Sequence, residues 1–337
     1  MNRWTSRLFL VAIAVLAFPH TAPAPLIYRA GEGWTYEPYG SVGNWQRNRA
    51  KDQLDVAQQA FDKKDYSLAL KAAKHTVNKW PLSDYAPQAQ YLVGRCFEEQ
   101  KKDELAFKEY QAVLTKYPKI ENYEEILKRQ YEICNRFLGG QWFKLWGYVP
   151  AFPSMEKTAE MYQQLIKNGP YSEVAAQAQM NIGAAHEKQG RFLNNEEPFV
   201  QAVKAYETAA DRYHDKKAVA ADALFKAGLA YNKQAKNAEY DQGTAAKAIA
   251  AFTDFMALYP DDPRGKEAQT LIDALKTEQA RGALDIARYY EKRKQWSGAL
   301  VYYNEVLVKD PNSIFAIEAK QRIETLKARV TPAPGQK

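Results

Sequence analysis

Cysteine and histidine are scarce in this chain of 337 residues. Its two cysteines, Cys96 and Cys134, stand 38 positions apart inside predicted helices, which excludes a disulfide framework. We expect two small buried residues, although the export route would permit a bridge between them. None of the four histidines has cysteine, histidine or carboxylate neighbours at metal-ligand spacing. The sequence therefore predicts no metal site, and His186 is expected to pack in a core.

Glycine and proline are also infrequent, with 17 and 16 copies, and charged residues make up 26% of the chain. This composition excludes a largely disordered chain and suits a soluble helical protein. The 47 basic and 40 acidic residues are interspersed, so nucleic-acid binding is not expected. The sequence has no glycine-rich phosphate loop, no nucleophile elbow and no Ser/His/Asp order at useful spacing. We therefore predict a protein that is not an enzyme and binds no cofactor.

Long apolar runs are missing as well, apart from one at residues 8–18. Two arginines precede this run and small residues follow it, a pattern typical of a secretory signal. The run is too short to span a bilayer, since a spanning helix takes about 20 residues. We predict a signal peptide at residues 1–24, with Val15 and Ala17 forming an alternative cleavage site, and export to the periplasm.

Residues 25–46 form a region rich in glycine, proline and aromatic residues, without a helical period. We interpret it as an extended leader. Its aromatic residues Trp34, Tyr36 and Trp45 admit two interpretations. They contact a membrane or partner, or they fold onto the core that follows.

Two distant stretches carry the same spacing of small, aromatic and proline residues. The steps of 3, 9, 4 and 8 positions agree throughout. The first copy consists of Gly94, Phe97, Ala106, Tyr110 and Pro118, and the second of Ala287, Tyr290, Ala299, Tyr303 and Pro311. Small residues let two helices approach closely, an aromatic ring fills the space beside them, and proline ends the second helix. The pattern predicts two packed antiparallel helices per copy.

Fitting this pattern along the chain predicts about six helix pairs, followed by a C-terminal capping helix. The expected fold class is all-α, a right-handed α-solenoid at residues 47–329, with a disordered tail at residues 330–337. One long helix is expected between Gly265 and Arg293, where proline is absent. Alternating runs long enough for a strand do not occur in this region.

Helical spacing from the small residues also predicts which side chains line a groove. A mixture of aromatic, apolar and arginine residues there suits an extended peptide, whose backbone needs hydrogen-bond partners and whose side chains need pockets. The predicted groove residues are Gln88, Tyr91, Arg95, Glu98, Arg129, Met180, Phe225 and Arg288. For Tyr91 and Phe225, ordinary packing between helices is an equal alternative.

A segment at residues 138–153 interrupts the third pair and is unusually aromatic. It contains Trp142, Phe143, Trp146 and Tyr148. Loops rarely expose so much apolar area without a use, so the segment is a candidate for contact with a membrane interface or a partner. The alternative, that it folds back over the core of the third pair, carries equal weight.

The repeated unit resembles the tetratricopeptide repeat. A recurring theme after three of the prolines, as in Trp80-Pro81-Leu-Ser-Asp-Tyr-Ala, is similar to exported tetratricopeptide proteins of Gram-negative envelopes. The stretch from Ala287 to Trp296, with the helix and Asp310-Pro311 after it, resembles the last repeat of the BamD family, lipoproteins of the outer-membrane β-barrel assembly machinery. Two differences are that no cysteine precedes Cys96, so a lipid anchor is not expected, and that six pairs stand where the family usually has five.

The resemblance implies a non-enzymatic periplasmic scaffold, associated with the outer membrane, that helps insert β-barrel proteins. Its C-terminal repeats, with Tyr289, Arg293 and Trp296, would dock the barrel-forming subunit, while the N-terminal groove would bind unfolded β-barrel substrates or other extended peptides. Peripheral membrane contact would accompany these partners. The alternatives are a periplasmic adaptor for cell-wall synthesis or trans-envelope complexes, and accessory repeats of a wall-modifying enzyme.

Overall fold

The structure is a computed structural model that describes residues 26–31, 33–36, 45–145, 149–193, 196–237 and 242–330. The predicted signal peptide and residues 331–337 of the predicted tail lie outside these residues, whereas Val330, predicted to begin the tail, is helical. Thirteen α-helices and two short β-hairpins occur in the described part. The chain divides into two compact units, residues 1–123 and residues 124–337, whereas the sequence analysis treats the repeats as one domain.

Unit 1 contains a β-hairpin and two pairs of helices. The antiparallel hairpin consists of β1 (Leu26–Arg29) and β2 (Gly33–Tyr36). Its helices are α1 (Ala50–Asp62), α2 (Tyr66–Lys79), α3 (Ala86–Glu99) and α4 (Asp103–Lys116).

Unit 2 contains a second hairpin and nine helices. Helix α5 (Tyr123–Leu138) begins at the last residue of unit 1, and the hairpin β3 (Phe143–Leu145) and β4 (Val149–Phe152) follows it. The later helices are α6 (Met155–Asn168), α7 (Ala175–Leu193), α8 (Glu197–Arg212), α9 (Lys217–Asn237), α10 (Gln242–Leu258), α11 (Gly265–Lys292), α12 (Trp296–Lys309) and α13 (Ile314–Val330). Helix α11 is the long helix that the sequence predicts.

The small and aromatic residues of the repeated pattern meet between the helices of a pair. A Cβ atom at Gly94 would lie 2.5 Å from Cε1 of Tyr110, and one at Gly228 would lie 2.6 Å from Cε1 of Phe252. Gly183 stands equally close to the ring of Tyr206. Both rings of α4 and α10 are completely buried. The all-α prediction and its packing rule are therefore confirmed.

The tyrosines of this pattern also form a hydrogen bond that recurs in three pairs. The Tyr110 hydroxyl donates to Glu98 over 2.6 Å, and the Tyr303 hydroxyl donates to Glu291 over 2.5 Å. Each glutamate stands four positions after the small residue of the first helix, and each tyrosine four positions after the alanine of the second helix. A buried hydroxyl needs a partner, and the glutamate provides it.

The turns between pairs repeat their hydrogen bonds. Ser83 and Ser172, each two positions after the proline, donate from the side chain to a carbonyl three residues earlier, over 3.0 Å and 2.8 Å. The hydroxyl of Tyr117 donates to the Pro81 carbonyl, and that of Tyr213 donates to the Pro170 carbonyl. Each pair is thereby attached to the turn that precedes it.

The turns inside three pairs place a lysine in the left-handed region. Lys64, Lys101 and Lys294 have φ values of 61°, 58° and 59°. A residue with a side chain pays steric energy in this conformation, which glycine avoids. In the first pair, Asp65 precedes α2 as its N-terminal cap, and its carboxylate accepts the backbone N–H of Leu68.

Both hairpins depart from the sequence expectation of an extended leader and a strand-free body. Their strands have only three or four residues, so the alternating pattern is too short to recognise. In the leader, Tyr28 and Trp34 contact each other at 5.3 Å and remain 62% and 67% exposed. Trp45 instead packs edge-on against His75 at 5.6 Å, so it belongs to the first pair. The side chain of Tyr36 is outside the described residues.

Cys96 and Cys134 are free and buried, as expected. His186, expected in the core, is half-buried on α7, and burial lowers its pKa. Among the described residues, none of the helices combines the length and apolar character that crossing a membrane requires.

Candidate partner-binding surfaces

Three of the side chains predicted to line a groove are buried instead. Tyr91, Met180 and Phe225 are 5%, 1% and 6% exposed. Tyr91 contacts Tyr110 with ring centres 5.9 Å apart, and Phe225 contacts Phe252 in the same way. These three side chains pack between helices, because the helix face that carries them is covered by the second helix of the same pair or by the next pair.

The other predicted groove residues reach the surface, but most of them already have partners within the chain. Gln88 and Arg288 are exposed, while Arg95, Glu98 and Arg129 are partly buried. Each arginine has a carboxylate neighbour. Arg95 lies 3.9 Å from Glu99, Arg129 lies 3.0 Å from Glu125, and Arg288 lies 2.5 Å from Glu318. A partner binding here would therefore exchange existing ion pairs. Gln88, Arg95 and Glu98 belong to unit 1, whereas Arg129 and Arg288 belong to unit 2.

An ionic cluster around the buried carboxylate of Glu187 joins α7, α8 and α9 and was not predicted from the sequence. Glu187 is 8% exposed and accepts hydrogen bonds from Lys233 Nζ at 2.7 Å, Arg191 at 3.0 Å and the Tyr206 hydroxyl at 3.0 Å. Burial alone would raise the pKa of Glu187, but these donors outweigh it and hold the pKa below its ordinary value. The spacing of Gly183 to Glu187, matched by Ala202 to Tyr206, is the sequence signal that could have located it.

The predicted C-terminal docking residues surround the turn between α11 and α12. Tyr289 is 52% exposed, and the guanidinium of Arg293 lies 4.4 Å from the centre of its ring. Trp296 begins α12, is half-buried and lies beneath the guanidinium of Arg329 at 5.1 Å. An exposed tyrosine with a cation on its face offers a partner both apolar area and charge.

Exposed apolar side chains continue along the last two helices. Val301 and Val308 lie seven positions apart on one face of α12 and are 64% and 80% exposed. On α13, Lys320, Arg322 and Lys327 are exposed as a capping helix requires. The first turns of that helix nevertheless expose Ile314 and Ile317, which the sequence analysis did not single out. Exposed apolar residues grouped in this way are typical of protein contact sites.

Some aromatic residues of the insertion fold back onto the core, and others remain exposed for contact with a partner or membrane. Phe143 is buried and stacks on Phe137 with ring centres 4.2 Å apart, so it folds back on α5. Trp142 and Phe152 remain 52% and 49% exposed. Trp146 and Tyr148 lie outside the described residues.

The helix pairs and their repeated contacts define a tetratricopeptide repeat protein, a class that serves as a scaffold for protein–protein interaction. The tetratricopeptide repeat family matches residues 88–119, which cover α3 and α4. Among the described residues, no group of three or more histidine, cysteine, aspartate or glutamate side chains could hold a metal ion.

A more particular similarity covers most of the second unit. The YfiO family, described as an outer membrane lipoprotein, matches residues 153–310. This stretch extends from the end of the insertion to the end of α12 and includes Tyr289, Arg293 and Trp296. No protein of curated function matches the chain significantly.

Solved tetratricopeptide structures are similar to the chain at low identity. A repeat protein from Bacteroides fragilis is 15% identical, covers 84% of this chain and 100% of its own, and has a TM-score of 0.38. A protein from Parabacteroides merdae is 14% identical over 82% of this chain and 98% of its own, with a TM-score of 0.32. MamA from Desulfovibrio magneticus RS-1 is 13% identical over 66% and 99%, with a TM-score of 0.32. These similarities are too distant to bear on function.

Proposed function

We propose that this protein is an exported, non-enzymatic scaffold that helps assemble β-barrel proteins in the outer membrane. Unit 2 contacts the barrel-forming subunit of the assembly machinery, and the repeats also bind unfolded substrate peptide. The observation that carries the proposal is the exposed Tyr289–Arg293 pair, which lies within the stretch matched by the outer membrane lipoprotein family.

The chemistry of this surface supports a protein partner. Tyrosine and arginine are enriched among the residues that contribute most to protein interfaces. The adjoining helix adds Val301 and Val308, whose exposed side chains gain free energy when a partner covers them. A single charged pair would add less, since exposed ion pairs contribute little in water.

The test is a pull-down from solubilised outer membrane with the full chain as bait. We expect recovery of the barrel-forming subunit, and we expect Tyr289→Ala combined with Arg293→Ala to lower that recovery at least tenfold, the factor that about 1.4 kcal/mol of lost binding energy produces. Tyr171→Ala is the matched control because Tyr171 is 90% exposed on the turn after α6, away from α11 in sequence and outside any helix.

Two other results of the pull-down would change this proposal. Recovery of wall-synthesis enzymes without the barrel-forming subunit would overturn the proposal in favour of a periplasmic adaptor. Recovery of the subunit at the same level by the double variant would leave the scaffold role standing and move the contact away from Tyr289 and Arg293.

A further inference from the structure

The fifth pair of helices, α9 and α10, departs from the tyrosine–glutamate bond of its neighbours. Asn232 stands four positions after Gly228, where the second, fourth and sixth pairs have glutamate. Phe252 stands four positions after Ala248, where those pairs have tyrosine. Phe252 therefore has a hydrogen atom at the position of the tyrosine hydroxyl, which bonds to glutamate in the other pairs.

This substitution leaves the amide of Asn232 without the tyrosine hydroxyl that bonds to glutamate in the other pairs. Asn232 is 7% exposed. A hydrogen bond between this amide and a ligand would contribute about 0.5–1.5 kcal/mol.

The amide of Asn232 lies on the wall of a cavity of about 900 Å³ between α9, α10, α11 and α12. The cavity lies where α11 leaves one core and enters the next: Leu275 packs with Phe252 and Phe255, whereas Ala280 and Ala283 pack with Tyr303. Its size is within the range of about 300–1,000 Å³ that is typical of ligand sites.

Small residues keep this cavity open. Gly282 lies on its wall, and a Cβ atom there would contact only the Gln242 amide nitrogen, at 3.3 Å. The apolar part of the wall includes Leu271, Leu275 and Ile286.

The charged part of the cavity wall is acidic. Three carboxylates line it, those of Glu278, Asp285 and Glu305, against the single guanidinium of Arg281. Arg281 pairs with Glu278 at 2.8 Å. The cations nearest Asp285 and Glu305 are Arg288 at 3.5 Å and Lys309 at 3.8 Å, and neither is among the residues that line the cavity. The excess of negative charge favours a cationic occupant.

We propose that this cavity binds an extended peptide segment in which an apolar side chain is followed by lysine or arginine. The apolar side chain enters between Leu275 and Ile286, and the basic side chain pairs with Asp285 and Glu305. The Asn232 amide, which can donate and accept at once, bonds to the peptide main chain. The choice of a peptide as ligand rests on the proposed function, whereas the position, the basic preference and the role of Asn232 are additional.

The test measures fluorescence anisotropy of labelled short peptides with the full chain. One peptide alternates leucine with lysine, and its counterpart carries glutamate in place of lysine. We expect the lysine peptide to bind at least tenfold more tightly than the glutamate peptide. Equal binding of the two would overturn the proposal.

Variants of the wall locate the binding. Asn232→Ala should weaken binding of the lysine peptide about fivefold to tenfold, the effect of one lost hydrogen bond to a buried amide. Gly282→Leu should weaken binding at least tenfold by narrowing the cavity. Phe252→Tyr should also weaken binding, since it restores the hydroxyl that engages the polar residue in the other pairs. Asn304→Ala is the matched control because Asn304 is an exposed asparagine on α12.

Helicity measured by circular dichroism separates lost binding from lost folding in every variant. Unchanged binding by both Asn232→Ala and Gly282→Leu would overturn the proposal. If the full chain recovers the barrel-forming subunit but does not bind the lysine peptide, this inference fails while the proposed function stands. If it binds the peptide through Asn232 but does not recover the subunit, the proposed function fails and the cavity remains a peptide site.

Discussion

The hydroxyl of Tyr206 donates to Oε1 of Glu187, the same carboxylate whose second oxygen accepts from Lys233 and Arg191. Three helices, α7, α8 and α9, thereby meet at one ionised side chain. The bond repeats the tyrosine–glutamate contact of two other pairs, and the cations are an addition of this pair. The carboxylate of Glu187 is buried, whereas Lys233 and Arg191 reach the solvent, so removing these cations would leave a buried charge with fewer partners, which is costly.

Replacing Glu187 with glutamine should destabilise the protein in a pH-dependent way. The pKa of Glu187 is lowered in the folded state, so its contribution to the free energy of unfolding is present above the unfolded pKa of about 4.3 and disappears as pH falls through the folded pKa. We expect a loss of about 1–3 kcal/mol at neutral pH, from the lost hydrogen bonds to a charged group. Urea unfolding at a series of pH values measures it.

The control for that variant is Glu173→Gln. Glu173 pairs with Lys128 at 3.4 Å on the surface, with 81% of its side chain exposed, so its removal should change the unfolding midpoint little. A Glu187→Gln effect that stays constant down to acidic pH would contradict the assigned role of the ionised carboxylate.

Gly183→Ala should destabilise the fourth pair. The added methyl group would overlap the ring of Tyr206, which is buried and has no room to move away. Overpacking of this kind costs typically about 1–3 kcal/mol, measured as a shift in the thermal or urea midpoint. Gly282→Ala is the milder case on α11: the added Cβ atom would meet only the Gln242 amide nitrogen, at 3.3 Å and at the end of a flexible side chain. We expect a gain of up to about 1 kcal/mol from helix propensity. Equal effects of the two changes would refute the close-approach argument.

Lys294→Gly should stabilise the protein. Lys294 has a φ of 59°, and glycine removes the steric cost of the left-handed region while adding some entropy to the unfolded chain. The net gain should be up to about 1 kcal/mol. Lys276→Gly, at an exposed position inside α11, should lower stability by about 1 kcal/mol. A loss of stability in both variants would show that the turn lysine makes a compensating contact.

The two thiols should be unreactive in the folded protein. Burial raises the pKa of Cys96 to about 12 and also raises that of Cys134, so neither forms the thiolate that reacts with iodoacetamide at neutral pH. Mass spectrometry should find no modified cysteine in the native protein and two after unfolding in urea. Rapid native labelling of either residue would indicate that its helix pair opens locally.

Local periodicity was sufficient to predict the helix pairs and their close packing. Gly94 and Tyr110, for example, are placed by spacing within two adjacent helices, and the structure brings them together as expected. The spacing assigned Met180 to a groove and left groove and packing equally open for Phe225, because their burial depends on the neighbouring helix pair, whose position is not encoded in the spacing of one helix. The Glu187 cluster was missed for a similar reason: Lys233 lies 46 positions away.

The sequence also could not predict which aromatic residues of the insertion are buried and which are exposed. Phe143 and Trp142 are adjacent and both aromatic, yet one is buried against Phe137 and the other is half-exposed. Trp142 immediately precedes β3 and Phe143 begins it, and a strand of three residues is too short for its start to be recognised from the sequence.

Helix α11 has 28 residues and is therefore about 42 Å long at 1.5 Å per residue. Its first half completes the core around Phe252, and its second half forms half of the sixth pair. Repeat proteins commonly lose their units one by one from an end, because each unit contacts only its neighbours. Here the shared helix must melt for either core to open, so hydrogen exchange of the fifth and sixth pairs should follow a single opening event, and together they behave as one cooperative folding unit.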